Sequence, residues 1–187
     1  MRDELAQEHR YAHVVRVARL AERLALAHRV EPYRARLAGM LHDLARLYSA
    51  ERLLLECAAR RLSIEPFEAA NPVVLHARLS AELARERYGV DDPGILSAIR
   101  KHTVAAEVMS PLDAVVYLAD GLEPGREFAG RAALAALAFR DLRAGMRAVL
   151  ASSIVYTERR GLTVAPQTLA AARTYGLDAV LEDKHPA

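Results

Sequence analysis

Residues 37–46 read LAGMLHDLAR and set an imidazole and a carboxylate side by side, at His42 and Asp43, in an apolar stretch. The apolar positions here and just beyond recur at spacings of three and four, at Leu37, Met40, Leu41, Leu44 and Leu47. Such spacing is typical of an amphipathic helix with one buried face. We therefore expect a helix that contains both His42 and Asp43.

Further helices are expected on both sides of this stretch. An apolar stripe over residues 14–25 ends before Glu31-Pro32, and Asp92-Pro93 and Ser110-Pro111 each supply an N-cap and a first-turn proline. Residues 64–71, which contain Pro66, read as a loop. The helix that starts at Asp92-Pro93 is expected to reach His102, and the one that starts at Ser110-Pro111 is expected to reach Asp120. The other helices are expected at residues 53–59, 73–88, 131–138, 142–159 and 166–175. Because no strand-like alternation interrupts them, the predicted fold class is all-α.

Two of these helices carry polar residues on their apolar faces. His102 and Asp120 each align with apolar residues one and two turns earlier, so both are expected to point towards the core. A buried carboxylate is costly unless it is paired or bound to a metal, and a buried imidazole needs partners. The Glu123-Pro124-Gly125 break should end the second helix and present Arg126 on a turn beside Asp120.

The chain contains an ordered set of side chains that can bind a metal: His13, His42, Asp43, His76, His102 and Asp120. Imidazole nitrogen and carboxylate oxygen suit iron, manganese, cobalt or zinc. Thiolate ligation is excluded because Cys57 is the only cysteine. The chemistry that this set indicates is metal-assisted hydrolysis.

Composition agrees with a cytoplasmic enzyme. A chain of 187 residues is expected to form one domain, 1–187. A net charge of +2 gives no reason to expect nucleic acid as a partner, although the arginines could bind phosphate locally. No apolar run approaches the roughly 18 residues of a membrane span, and the N-terminus is charged, so neither membrane insertion nor secretion is expected. A homodimer is compatible with the sequence.

The order and setting of these residues resemble the HD-domain phosphohydrolases and, more narrowly, the YqeK family. The matching motifs are HxxRV at 13–17, LAGMLHDLAR at 37–46, HAxLSAELA at 76–84, AIRKHT at 98–103 and YLADGLEPGREFAG at 117–130. The resemblance covers nearly the whole chain. It implies an HD-domain helical bundle with a helical C-terminal extension, and symmetrical hydrolysis of diadenosine tetraphosphate to two ADP.

The resemblance also implies the ligands of two metal ions. One ion would be bound by the four residues that match the ligands of one metal in HD enzymes. A second ion would be bound by the residues that match two further histidines of dinuclear members, and Asp43 would bridge the two ions. The first set is His13, His42, Asp43 and Asp120, and the further pair is His76 and His102. A carboxylate-bridged site of this kind suits octahedral iron, manganese or cobalt better than tetrahedral zinc, and the YqeK resemblance implies iron. A bridging water would lose a proton and attack phosphorus in line.

Four side chains near these ligands are expected to contact substrate. Arg126 and Arg46 are placed against phosphate and, together with Asp43, form the predicted catalytic set; for Arg46 a surface salt bridge is an open alternative. Lys101 and Thr103, on either side of His102, are expected to contact a terminal phosphate or solvent.

Two departures from the YqeK pattern bear on substrate choice. Residues 104–107 read VAAE where a glycine-containing turn is common, and Ala114 stands where a lysine is usual. Three functions remain open at this stage. They are a dinuclear diadenosine tetraphosphate hydrolase, an HD phosphohydrolase for a nucleoside monophosphate or another phosphoester, and a non-catalytic helical binding protein. The complete ligand set favours an enzyme over the third.

Overall fold

The computed structural model of the chain describes residues 8–178. All regular elements within those residues are helical, which confirms the all-α fold class. The α-helices are α1 (Glu8–Ala27), α2 (Pro32–Leu41), α3 (Ala50–Ala59), α4 (Pro66–Ala70), α5 (Leu75–Tyr88), α6 (Pro93–Lys101), α7 (Pro111–Leu122), α8 (Arg131–Arg140), α9 (Leu142–Arg159) and α10 (Pro166–Thr174), and a 3-10 helix, Pro72–Val74, precedes α5.

The end of α2 corrects one prediction. His42 and Asp43 do not lie within the helix; α2 ends at Leu41, and both follow it in a turn. The helical hydrogen-bond pattern stops because the Ala45 amide donates to Ser80 Oγ on α5, at 3.1 Å, instead of to a carbonyl one turn earlier. Apolar spacing alone could not reveal this interruption, because the competing acceptor comes from another helix.

The segment at residues 64–71 corrects a second prediction, since it contains the short helix α4 and is not a loop. Pro66 occupies the first turn, where the missing amide proton costs nothing. The Glu65 amide donates to Glu68 Oε2 at 3.0 Å and completes a capping box. A helix of five residues is too short for its apolar periodicity to show in the sequence.

The predicted caps are confirmed. Asp92 accepts from the Gly94 and Ile95 amides at the start of α6, and Ser110 accepts from the Asp113 amide at the start of α7. These caps fix where the helices that carry His102 and Asp120 begin.

Close packing of α1 against α2 brings the first two histidines of the predicted set together. A Cβ atom on Gly39 would lie 2.9 Å from the Cα of Ala18, so only glycine allows this approach. The approach leaves the ring centroids of His13 and His42 5.4 Å apart. α7 is the most deeply buried helix around them and carries Asp120 on its C-terminal turn.

Among the described residues, no helix combines the length and apolarity that crossing a bilayer requires. The predicted domain bounds, 1–187, include both ends of the chain outside the described range. Within that range, α8, α9 and α10 follow the helices that carry the predicted ligands.

Candidate metal centre

The six predicted ligands converge on one place between α1, α5, α6 and α7. Five of them, all but Asp120, are almost completely buried, and the side chain of Asp120 is 18% exposed. Their ligand atoms form three overlapping triads, His13–His42–Asp43, His42–His102–Asp120 and Asp43–His76–His102, which we describe as two ligand groups that share Asp43. The first ligand group comprises His13, His42, Asp43 and Asp120, and the second ligand group comprises Asp43, His76 and His102.

Asp43 lies between the two groups, with one oxygen towards each. Its Oδ2 lies 3.5 Å from His42 Nε2 and 3.8 Å from His13 Nε2. Its Oδ1 lies 3.2 Å from His76 Nε2 and 3.7 Å from His102 Nε2. This is the arrangement that a carboxylate needs to bridge two ions.

Asp120 completes the first ligand group. Its Oδ1 lies 3.2 Å from His13 Nε2 and 3.8 Å from His42 Nε2. Because these atoms come from three separate helical segments, the group is assembled only by the tertiary fold.

The imidazoles are oriented by hydrogen bonds from Nδ1. In three of them Nδ1 donates to the backbone carbonyl three residues earlier: His42 to Gly39, His76 to Val73 and His102 to Ile99. A carbonyl can only accept, so the neutral ring carries its proton on Nδ1 and turns the Nε2 lone pair towards the cluster. The backbone therefore selects the tautomer that binds a metal.

The unsatisfied atoms of the cluster fit a cation. His42 Nε2 is fully buried without a hydrogen-bond partner among residues 8–178, and it faces oxygens of Asp43 and Asp120. A lone pair that faces carboxylate oxygens is unfavourable unless a positive charge lies between them. The donor set, nitrogen and oxygen only, suits a divalent transition metal.

Burial favours the neutral form of two of the imidazoles, and charge favours the ionised form of Asp43. Burial lowers the pKa of His42 to about 4 and also lowers the pKa of His76, so both rings are neutral near pH 7. Burial alone would raise the pKa of Asp43, but the surrounding imidazoles of His42, His102 and His76 hold it well below its usual range. The bridging carboxylate is therefore ionised.

Glu123 is a functional residue that sequence analysis missed. Its Oε1 accepts from His13 Nδ1 at 3.0 Å, and its side chain also accepts from Arg16 Nε and from the Gly125 amide. Burial opposes ionisation of Glu123, yet the bonds from Arg16 and His13 lower its pKa to about 2. Its position three residues after Asp120, one helical turn along the same face, was the available signal.

Arg10 is the second such residue. It lies three residues before His13 on α1, and its Nη1 donates to Asp43 Oδ2 at 3.0 Å. Sequence analysis did not select it because the partner is 33 residues away.

The predicted substrate contacts lie in different surroundings. Arg126 Nη2 donates to Asp120 Oδ1 at 2.6 Å, so the predicted turn beside Asp120 is confirmed. Thr103 Oγ1 lies 2.9 Å from His102 Nε2, next to the second ligand group. Lys101, in contrast, is held by Asp113 Oδ2 at 2.7 Å and by the Val108 carbonyl, which favours a structural function.

The Arg46 backbone amide donates to the Asp43 carbonyl at 3.0 Å, but its side chain is not hydrogen-bonded to the described ligand residues. Its side chain is half-buried and forms no hydrogen bond or ion pair with the described residues. Phosphate contact and a surface salt bridge therefore both stay predictions for Arg46.

A cavity of about 410 Å³ adjoins the metal centre and extends from it between α7, α8 and α9. Its lining includes proposed metal ligands, residues of the segment after α7, and apolar and hydroxyl side chains. These are His102, Thr103, Tyr117, Asp120, Gly121, Arg126, Glu127, Phe128, Leu134, Val149, Ser152, Ser153 and Tyr156. The exposed aromatic residues Phe128 and Tyr156 line this cavity together with the proposed ligands His102 and Asp120.

The turn after His102 forms without the glycine that the family resemblance implies. Ala105 adopts φ 59° in the left-handed region and is buried. The Thr168 hydroxyl donates to the Val104 carbonyl at 2.8 Å and ties the turn to α10. Alanine thus terminates α6 at an energetic cost that glycine would avoid.

Comparison with known protein families agrees with this geometry. The HD domain model matches residues 10–125, which include all six ligands and more than half of the chain. The chain belongs to the HD-domain family. Divalent metal binding, which this family membership implies, is consistent with both ligand groups.

Relatives of this HD-domain protein extend the match beyond residue 125. It is 31% identical over 163 residues to a symmetrical bis(5'-nucleosyl)-tetraphosphatase of Halalkalibacterium halodurans, covering 87% of each chain. It is 32% identical to the enzyme of the same name from Bacillus subtilis, covering 86% of each chain. A Mycoplasma genitalium protein described as a probable nicotinate-nucleotide adenylyltransferase/Ap4A hydrolase is 37% identical, but this chain spans only 34% of it.

A solved structure gives the same result. A Clostridium acetobutylicum protein, described as a predicted HD superfamily hydrolase involved in NAD metabolism, superimposes with a TM-score of 0.87 at 31% identity. The match covers 90% of this chain and 89% of that protein. The resemblance to HD-domain phosphohydrolases and to symmetrical tetraphosphatases is therefore confirmed.

Proposed function

We propose that this HD-domain protein is a metal-dependent hydrolase that cleaves diadenosine tetraphosphate symmetrically into two ADP. One observation carries the proposal: the two oxygens of Asp43 face different imidazoles, Oδ2 those of His13 and His42 and Oδ1 those of His76 and His102. A pair of adjacent metal positions matches a substrate in which charge must be neutralised on both sides of an interior phosphoanhydride. The names of the two relatives that align over nearly the whole chain support the choice of substrate.

The first ligand group would hold one ion and the second ligand group the other. Nitrogen and oxygen ligands with a shared carboxylate favour iron, with manganese or cobalt as alternatives. When bound, the metals would supply an activated water and neutralise charge on phosphate oxygens. The bridging position of Asp43 gives it the central function among the proposed catalytic residues.

The chain's own side chains would orient the polyphosphate. Arg126 is directed at the first ligand group by its contact with Asp120, so its guanidinium can reach a phosphate bound there. Thr103 is placed for the same purpose at the second ligand group. Arg46 has no competing partner among the described residues and remains a proposed phosphate contact, whereas Lys101 is the weakest of the proposed contacts because Asp113 already holds it.

The cavity beside the cluster would take a nucleoside. Phe128 and Tyr156 offer aromatic surfaces for a planar base, and Ser152 and Ser153 offer hydroxyl groups. His102 and Asp120 in the cavity lining would connect the nucleoside to the metal centre. A nucleotide bound in this way would have its phosphates next to the metals.

The remaining parts of the proposal concern the whole protein. We expect a single domain over residues 1–187 with α8 to α10 as its helical extension, a cytoplasmic location, and a dinucleoside polyphosphate as the substrate. Neither nucleic acid nor a membrane is an expected partner, and a homodimer is compatible with these features.

Initial rates on two substrates test the proposal. Protein loaded with iron or manganese should consume diadenosine tetraphosphate, and it should release little or no phosphate from AMP. An Asp43→Ala variant purified in parallel controls for contaminating enzymes, since it should be inactive on both. Release of phosphate from AMP without turnover of the dinucleotide would favour a nucleoside monophosphate hydrolase instead.

A further inference from the structure

Arg10 contacts the metal centre and has donor groups to spare. Its Nη1 donates to Asp43 Oδ2 at 3.0 Å, and its side chain is 19% exposed. Its Nε is buried and has no hydrogen-bond partner among residues 8–178. A guanidinium carries five N–H donors in a rigid fork, and because Nε is buried, the donors of Arg10 that can reach a further acceptor are those on its two Nη atoms.

Two guanidiniums lie against the first ligand group. Arg10 contacts Oδ2 of Asp43, and Arg126 contacts Oδ1 of Asp120. These are the two carboxylate oxygens that face the His13 and His42 Nε2 atoms. Oδ1 of Asp43, the oxygen that faces His76 and His102, has no arginine contact among the described residues.

If these oxygens bound a cation, each oxygen would contact two positively charged groups, the cation and a guanidinium. Like charges at this separation repel, and the repulsion is reduced when an anion contacts both. A phosphate oxygen is such an anion, because it accepts from a guanidinium fork and also binds a metal. The arrangement thus creates a place for phosphate beside Asp43 as well as beside Asp120.

We propose that Arg10 is a phosphate-binding residue. It would hold the substrate from the Asp43 side of the first ligand group, whereas Arg126 is attached to Asp120. The identity of the substrate as a dinucleoside polyphosphate rests on the proposed function. The binding of phosphate by Arg10 does not, because it follows from the contacts of its guanidinium.

A different function for Arg10 predicts the opposite effect on metal binding. If Arg10 only positions Asp43, its removal should loosen the bridging carboxylate and weaken metal binding. If Arg10 binds phosphate, its removal takes a positive charge away from the metal position, so metal affinity should stay the same or increase. Phosphate affinity should decrease in that case.

Calorimetric titration with inorganic phosphate separates these alternatives. We compare wild-type protein, Arg10→Ala and Arg10→Lys, each loaded with manganese, and use Arg19→Ala as a control because Arg19 is exposed on the same helix. We expect Arg10→Ala to bind phosphate about tenfold more weakly and Arg10→Lys to lie between it and wild type, with Arg19→Ala unchanged. Metal content, measured by elemental analysis, should be undiminished in every variant.

Phosphate affinity of Arg10→Ala within twofold of wild type would overturn the proposal, and so would loss of metal from that variant while it remains folded in thermal unfolding. If Arg10→Ala does not fold, Arg10→Lys decides, since it keeps the charge and loses the fork. No turnover is measured in this experiment. A protein that fails to cleave diadenosine tetraphosphate would therefore contradict the proposed function and leave the result for Arg10 intact.

Discussion

The Nδ1 atom of His13 lies 3.0 Å from Oε1 of Glu123, although the two residues are 110 positions apart in the chain. The contact joins the helix that carries the first ligand to the break that follows α7. Glu123 also binds Arg16 and the Gly125 amide, so one buried carboxylate fixes both the imidazole and the turn before Arg126. A carboxylate behind a metal-binding histidine typically sets its tautomer and orientation.

Removal of this carboxylate should weaken metal binding. We expect Glu123→Ala to lower metal affinity by about 10- to 100-fold, and Glu123→Gln to lower it less because an amide oxygen can still accept from Nδ1. Metal titration of both variants measures the effect, with the exposed Glu51→Ala as a control. Equal affinity in wild type and Glu123→Ala would contradict a positioning function.

Loss of the shared ligand should differ from loss of an unshared one. Asp43→Ala removes an oxygen from each ligand group, so we expect it to empty both metal positions, whereas His76→Ala should empty only the second. Elemental analysis of the purified variants gives the stoichiometry. Asp43→Ala protein that retained a full complement of metal would exclude the bridging function.

The guanidinium fork of Arg126 should matter more than its charge. Arg126→Lys keeps the charge but loses two-point contact, and we expect kcat/KM to fall by the equivalent of roughly 1 to 3 kcal/mol with metal content intact. Steady-state kinetics measure this decrease, and Arg147→Lys on the exposed face of α9 is the matched control. Unchanged kinetics would indicate that Arg126 supports the fold and does not bind substrate.

The two ligand groups should lose metal at different pH values. Burial lowers the pKa of His42 to about 4. Burial also opposes protonation of His102, but its hydrogen bond with Asp43 and the charge of Asp120 raise its pKa above the ordinary value. Since only the neutral ring binds metal, acidification should protonate His102 first and release the ion of the second ligand group first.

Metal content as a function of pH measures this order. We expect about two ions per chain near pH 8, then a step at which about one ion is retained, and loss of the remaining ion at a lower pH. Release of both ions in a single step above pH 6 would contradict the assignment.

Local sequence signals were sufficient where the cause of a structure is local. Asp92 and Ser110 cap the helices predicted for them because an N-cap acts on amides two and three residues away. The end of α2 could not be predicted in this way, since Ala45 bonds to Ser80 on another helix. α4 was missed because five residues show no periodicity.

The same distinction applies to the metal centre. The ligands were selected by their order and by family resemblance, and the structure brings all six together. Arg10 and Glu123 were missed because their functions depend on partners 33 and 110 residues away. Lys101 was expected near phosphate from its position beside His102, but its charge is balanced by Asp113, a partner that only the packing of α6 on α7 reveals.

Chromatography of the products of diadenosine tetraphosphate tests the central claim most directly. With the interior anhydride placed across the two ligand groups, metal-loaded protein should yield ADP alone, two molecules for each substrate consumed. The Asp43→Ala protein should leave the substrate intact under the same conditions. Formation of AMP and ATP in equal amounts would contradict symmetrical cleavage, even if the HD fold and both metal positions were verified.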